Sequence, residues 1–377
     1  MLYLGEVEKN MALQNAQNAQ NAQNAQNAQN SGGSYSSAQL EMALMIAREG
    51  IVGDEPAVAF PPQRQDLDPL RRLGRIEPEF AHAILMGELL ESLSVTPSQI
   101  QPLPQVEVFG RDAHGAQKVL MTIRLPSDVE FAKELPLMMG YAQLRGERLA
   151  EIDTQMAAIL PFFEAILPIG QLRARSVQML IALAMDLSTT LVQRAKLAFA
   201  VPRPHMLSDK VQPMIPIPAH GSYPSGHATQ AFAVATLLAV LSGPGGKAPA
   251  SVTSGSQLFR MATRIAMNRT VAGAHFPSDG VAGALLGMTV AHRIAACANV
   301  AQRGRPNPKL PRYDFRAEKW GETAPGGSRD FTLARLCEVL EGGDPSLGID
   351  DMPLAPHAPL TGALWAAGVK DWADRWS

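Results

Sequence analysis

The sequence predicts an all-α fold: a mainly helical core carrying one small N-terminal β-hairpin. Three observations lead there. From residue 127 to about residue 300, apolar residues return at helical spacing, interrupted only by proline- or glycine-rich breaks. Strand-like alternation is confined to residues 105–125, where VEVFG and VLMTIRL flank an Asp112-Ala-His114-Gly115 turn. The apolar runs 231–241 and 281–291 read as buried helices, in keeping with a mean hydropathy near zero.

Taken in order, residues 15–30 repeat Asn-Ala-Gln and lead into a Ser/Gly run. That composition cannot bury enough apolar surface to offset its ordering entropy, so residues 1–36 are expected to be a disordered tail. SAQLEMALMIAREG, over 37–50, opens on a Ser cap and stops at Gly, predicting a first helix. A second is expected over 78–93, with Phe80, Ile84, Leu85, Leu89 and Leu90 at helical spacing. The hairpin comes next, and His114 reads as a turn residue. Beyond it the helical pattern resumes, with Pro136 and Pro161 expected to break it. Further helices are predicted over 171–200, 227–241 and 257–268. A last one starts at Pro277-Ser278, its small-residue face (Gly280, Gly283, Ala284, Gly287) suited to close packing and leaving room for a homodimer. Residues 37–300 are thus read as one helical domain. Residues 301–377 are read as a C-terminal extension packing on it, with one helical piece (TLARLCEVLEG) and Trp365, Trp372 and Trp376.

Composition narrows the function classes. Thirty-three Lys and Arg against 35 Asp and Glu give a formal charge of -2, so no broad basic surface for nucleic acid or an anionic membrane is implied. Cys297 and Cys337 are too few for a disulfide framework. The first ten residues lack a basic start followed by an apolar run, so no signal peptide is expected. A bilayer span needs about 20 mostly apolar residues. The runs 231–241 and 281–291 fall short, ending at Gly/Pro and at His292-Arg293. The expectation is a cytoplasmic protein with no membrane span.

Three segments carry the chemistry: KLAFAVPRP over 196–204, GSYPSGHAT over 221–229 and NRTVAGAHFPSD over 268–279. They gather Lys196, Arg203 and Arg269, the Ser225-Gly226-His227 turn, and His275 four residues before Asp279. Two guanidiniums and an ammonium suit a tetrahedral dianion, because guanidinium forks match phosphate-like oxygens with paired hydrogen bonds. Gly226 lets the backbone approach an anion, and free amides at the following helix start point toward it. Lys196 and Arg203 are about two helical turns apart in sequence and can project to one side. The histidines can serve as nucleophile, ligand or proton donor near neutral pH. Singly, Lys196 or Arg269 could cap a helix C-terminus and Asp279 could stabilise a first turn. Together, in an apolar helical region, such groups are costly unless they meet a common anion.

The pattern of Lys, six residues, Arg-Pro, then Pro-Ser-Gly-His, then Arg, five residues, His, three residues, Asp resembles the superfamily that joins type 2 phosphatidic acid phosphatases, bacterial class A acid phosphatases and vanadium-dependent haloperoxidases. The resemblance covers residues 190–290 and has all three blocks in order. It implies a helical bundle core. One position departs from it: the usual Ser before the second Arg is Asn268, which keeps a donor and an acceptor.

For the haloperoxidases the resemblance implies that His275 ligates the vanadium of a bound vanadate. Lys196, Arg203, Ser225, Gly226 and Arg269 would bind its oxygens, and His227 would assist peroxide and proton transfer during halide oxidation. For the phosphatases it implies that His275 attacks phosphorus to form a phosphohistidine, held by Asp279, while His227 protonates the leaving alcohol of a phosphomonoester. YPSGHATQ and the run from Asp279 to Gly287 look most like the algal bromoperoxidase branch, whereas GSYPSGH also looks like the acid phosphatases. The length of helical sequence ahead of the site tips the expectation toward a haloperoxidase, with vanadate as cofactor and halide and hydrogen peroxide as substrates. An inactive scaffold is the third class. His205, His220, Tyr223 and Phe276 read as loop or packing residues.

Overall fold

Helices form where apolar residues return every third or fourth position between Pro, Ser and Gly punctuation. The computed structural model describes residues 38–52, 68–98, 104–112, 114–170, 173–243, 251–297, 309–353 and 358–374. In chain order these form α1 (Ala38–Val52), α2 (Pro69–Leu73), α3 (Pro78–Glu91), β1 (Leu93–Ser98), β2 (Gln105–Arg111), β3 (Gln117–Arg124), α4 (Asp128–Tyr141), α5 (Arg145–Ala157) and α6 (Leu160–Glu164). They continue with α7 (Arg175–Phe199), α8 (Pro204–Leu207), α9 (Gly226–Ser242), α10 (Gln257–Val271), α11 (Pro277–Cys297), β4 (Lys309–Arg316), α12 (Leu333–Leu340), β5 (Leu347–Pro353) and α13 (Pro359–Ala373). Helix α1 belongs to a separate unit, residues 1–66, and all the other elements belong to a second, residues 67–377. The repeat tail and Trp376 lie outside the described residues.

The all-α expectation is overturned. Five strands form one mixed sheet in the order β1-β2-β3-β4-β5, antiparallel except for the parallel pair β3/β4, so the class is mixed α/β. The predicted hairpin is β2–β3, where the Asp112 carboxylate accepts from the amides of His114 and Ala116 at 2.9 Å. Missing from the sequence reading are β1, which comes directly after α3, and β4 and β5 from the C-terminal segment. Their sequences, LSVTPS, KLPRYDFR and LGIDDMP, carry prolines and no clean alternation. Pairing makes them strands: β1 lies against its chain neighbour β2, and β4 and β5 join from a remote segment, as Ile123 lies opposite Phe315 and Phe315 opposite Leu347.

Helix α7 packs on β1 and β2, α11 on β3 and β4, and α9 lies against α7, α10 and α11. The close approach of α9 and α11 is set by glycine. A Cβ on Gly283 would sit 2.5 Å from the Ser225 carbonyl oxygen, and one on Gly287 would sit 2.2 Å from that of Thr229. The small-residue face predicted on α11 is therefore spent inside the protein. Gly287→Ala is expected to lower stability by at least about 1–3 kcal/mol, because backbone rather than a flexible side chain must yield. Gly87→Ala, in the exposed middle of α3 with nothing within 4 Å of the new methyl, should instead gain about 1 kcal/mol. Urea unfolding of both variants checks the contrast.

Two other expectations change. Pro136 lies inside α4 rather than ending it, and Pro161 sits in the first turn of α6. Among the described residues, two helical stretches, Arg175–Leu207 (α7 and α8) and Pro277–Cys297, are long and apolar enough to cross a membrane by length and composition, so the expected lack of a span is not confirmed. The apolar window of Pro277–Cys297 is wholly buried inside the protein and that of Arg175–Leu207 half buried. His292 and Arg293 do not end the helix; Arg293 turns inward and donates to Ser92 Oγ at 2.5 Å and to the Arg111 carbonyl at 3.3 Å.

Candidate active site

The start of α11 builds the centre of the site. Asp279, in the first turn, is fully buried, and its Oδ2 accepts from the Phe276 amide at 3.1 Å, from Ser222 Oγ, and from His275 Nδ1 at 2.8 Å. On the far side of the imidazole, Arg203 Nη1 lies 3.0 Å from His275 Nε2. A guanidinium can only donate, so Nε2 carries the lone pair and Nδ1 the proton. Burial, then the charges of Lys196 and Arg203, hold the His275 pKa well below the usual imidazole range. Burial pushes Asp279 upward against the hydrogen bond from Ser222 and the two cations.

The cations reach this centre from three elements. Lys196, on the last turn of α7, is 1% exposed, and its Nζ donates to the carbonyls of Gly221 and Ser222 at 2.8 and 2.7 Å. That fixes the 221–222 loop and leaves one ammonium hydrogen for another acceptor. Burial, reinforced by Arg203, lowers its pKa. Arg203, just beyond α7, also donates to the carbonyls of Ala274 at 2.9 Å and His220 at 3.2 Å, and to His220 Nδ1 at 3.1 Å. Arg269, on the last turn of α10, donates through Nη2 to the Ile152 carbonyl at 3.1 Å and to Gln155 Oε1 at 3.3 Å. Its Nε and Nη1 are buried without a partner, and burial lowers its pKa to about 10. A buried guanidinium with two orphaned donors and no carboxylate is unfavourable unless an anion joins it.

Ser225 caps α9, its Oγ accepting from the Ala228 amide at 3.4 Å, while its own amide donates to the Asp279 carbonyl at 2.9 Å. That bond ties the start of α9 to the start of α11. A Cβ on Gly226 would meet only Val192 Cγ1, at 4.0 Å, so packing within the protein does not demand glycine there. His227 Nε2 lies 3.0 Å from the Gln155 carbonyl and must donate to it, which leaves its Nδ1 as the unprotonated nitrogen. Burial, then the charge of Arg269, lowers the His227 pKa to about 4. Lys196, Arg203, His227 and Arg269 all lie near enough to act electrostatically on His275, and Arg203 touches it.

Several contributors escape the sequence reading. Ser222 lies within the quoted GSYPSGH run yet shows its part only through Asp279. Gln155 looks like any polar residue of an amphipathic helix, but it is 1% exposed and touches both His227 and Arg269. His220 contacts Arg203, whereas Tyr223 and Phe276 pack against Phe131 as expected and His205 joins none of these contacts. Asn268 does not face the centre. Its Oδ1 accepts from Arg148 at 3.0 Å, and its Nδ2 donates to Glu151 at 3.1 Å and Gln155 at 3.0 Å, bracing α10 on α5.

A search among curated proteins finds no match to this chain. Comparison with protein families matches residues 177–303 to the PAP2 superfamily, a span that begins on α7 and takes in Lys196, Arg203, the Ser225-Gly226-His227 turn, Arg269, His275 and Asp279. That match supports membership of the PAP2 superfamily, which joins acid phosphatases and haloperoxidases, through this segment of the chain.

Proposed function

We propose that this protein is a vanadate-dependent haloperoxidase, using hydrogen peroxide to oxidise a halide. The residues fit the cofactor. Arg269 Nε and Nη1 are orphaned donors, Gly226 leaves open space at a helix start, and His275 Nε2 presents a lone pair. Lys196, Arg203, Ser225, Gly226 and Arg269 would hold the oxygens and His275 the metal. Bound there, vanadate supplies the electrophilic centre at which peroxide is activated. The observation that carries the reading is His227: its Nε2 is committed to the Gln155 carbonyl, which leaves Nδ1 unprotonated and able to receive a proton from peroxide. Asp279 holds the His275 ring in one tautomer, and Ser222 and the Phe276 amide hold Asp279.

The same Asp279–His275 pair supports a second reading, phosphomonoester hydrolysis through a phosphohistidine at His275. His227 would then have to give a proton to the leaving alcohol; burial and Arg269 lower its pKa before the anion binds, and a bound phosphate dianion favours its charged form. Hydrolysis of p-nitrophenyl phosphate and bromination of a phenol dye with peroxide, each with and without orthovanadate, decide between them. A haloperoxidase requires vanadate, a phosphatase is inhibited by it, and an inactive scaffold shows neither reaction.

Anion binding should also take up protons. Lys196 and His227 both have depressed pKa values, so each binds protons less readily than a free side chain near neutrality, and a bound dianion favours their charged forms. Titration of the protein with sulfate, which stays a dianion at pH 7, in two buffers of different ionisation enthalpy should give a net uptake. Proton release would contradict the assigned electrostatics.

A further inference from the structure

We infer that Gln155 is itself a binding residue of the oxyanion centre, its side-chain amide donating to the same anion that Arg269 grips. The inference rests on reading the site as an oxyanion centre. Which end of the Gln155 amide is which is settled by its neighbours. Arg269 Nη2 can only donate, so the atom 3.3 Å from it is the carbonyl oxygen. Asn268 agrees: Arg148 donates to its Oδ1, which leaves its Nδ2 to donate to the same Gln155 oxygen at 3.0 Å. Gln155 Nε2 is therefore the remaining atom, a two-hydrogen donor buried without any partner.

Its surroundings say what would satisfy it. Arg269, whose Nη2 meets the Gln155 oxygen, carries two orphaned atoms of its own, Nε and Nη1, which are also donors. Donors stranded together are satisfied by one acceptor with several lone pairs, such as orthovanadate or phosphate. The turn of α5 from Ile152 to Gln155 is already committed to the site. Its carbonyls hold Arg269 at 3.1 Å and His227 at 3.0 Å, the two groups that would flank the anion, and the Gln155 side chain touches the first of them. No motif block includes this residue, because it comes from a helix that precedes all three.

Calorimetric titration with orthovanadate and a crystal structure of the wild-type complex test the assignment. Gln155 Nε2 should lie within about 3.2 Å of an anion oxygen. Gln155→Met, of similar volume, should weaken orthovanadate binding about ten-fold or more. Gln155→Met binding orthovanadate as tightly as wild type overturns the inference. So does a complex in which the anion sits on Arg269 and His275 with Gln155 Nε2 turned away; because this is read on the wild-type protein, it decides the matter even if a variant fails to fold. A wild-type protein that binds neither orthovanadate nor phosphate removes the oxyanion reading itself, and this inference with it.

Discussion

His275→Ala is expected to abolish turnover, by a factor on the order of 10⁴ or more, in either of the two proposed reactions. The reason is geometric. In the cluster of Lys196, Arg203, Arg269, His227 and His275, the cations can only donate and His227 is committed through Nε2 to the Gln155 carbonyl. His275 Nε2 is the lone pair that faces Arg203, held there because Asp279 fixes the opposite nitrogen. Without the ring, Asp279 keeps Ser222 and the Phe276 amide, so the loss of stability should be modest, about 1–3 kcal/mol. Steady-state kinetics beside urea unfolding separates the two effects. A variant that stays folded and retains more than a hundredth of wild-type activity would remove His275 from the chemistry.

The second large effect lies away from the reacting groups. Arg329→Met is expected to cost about 3–5 kcal/mol of stability at neutral pH, the range for stranding one partner of a buried ion pair. Arg329 Nε donates to Glu134 Oε1 at 2.8 Å, and the other oxygen of Glu134 accepts the Ser278 amide at 3.0 Å, one residue before Asp279. The remaining guanidinium nitrogens donate to the carbonyls of Ala317, Glu318 and Trp320. The C-terminal segment thereby supports the first turn of the helix that carries Asp279. Burial raises Glu134 to about 7 even with Arg329 beside it. A carboxyl whose folded pKa is raised contributes stability that is fully present below its unfolded value, about 4.5, and is lost as pH rises through the folded value. The deficit in Arg329→Met should thus be smaller near pH 4.5 and larger at pH 7 and above. Urea midpoints across that range measure it, and a pH-independent deficit would show that lost packing, not the stranded carboxylate, is responsible. Glu134→Leu combined with Arg329→Met should recover much of the loss, since neither charge is then left alone.

How much of this was legible beforehand depended on whether the information was local. Sequence by itself determined the helices flanking the site, the β2–β3 hairpin and the set of charged and imidazole side chains, because helical spacing, capping residues and short motif blocks are written within a few turns of chain. It could not determine the sheet, since β1, β4 and β5 gain their strand character from pairing rather than from alternation of their own, β1 against the neighbouring β2 and β4 against the remote β3. Nor could it find Gln155, Ser222 or the Glu134–Arg329 pair. A buried polar residue is indistinguishable in sequence from an exposed one until packing decides which face of its helix turns inward, and only the tertiary structure made that decision.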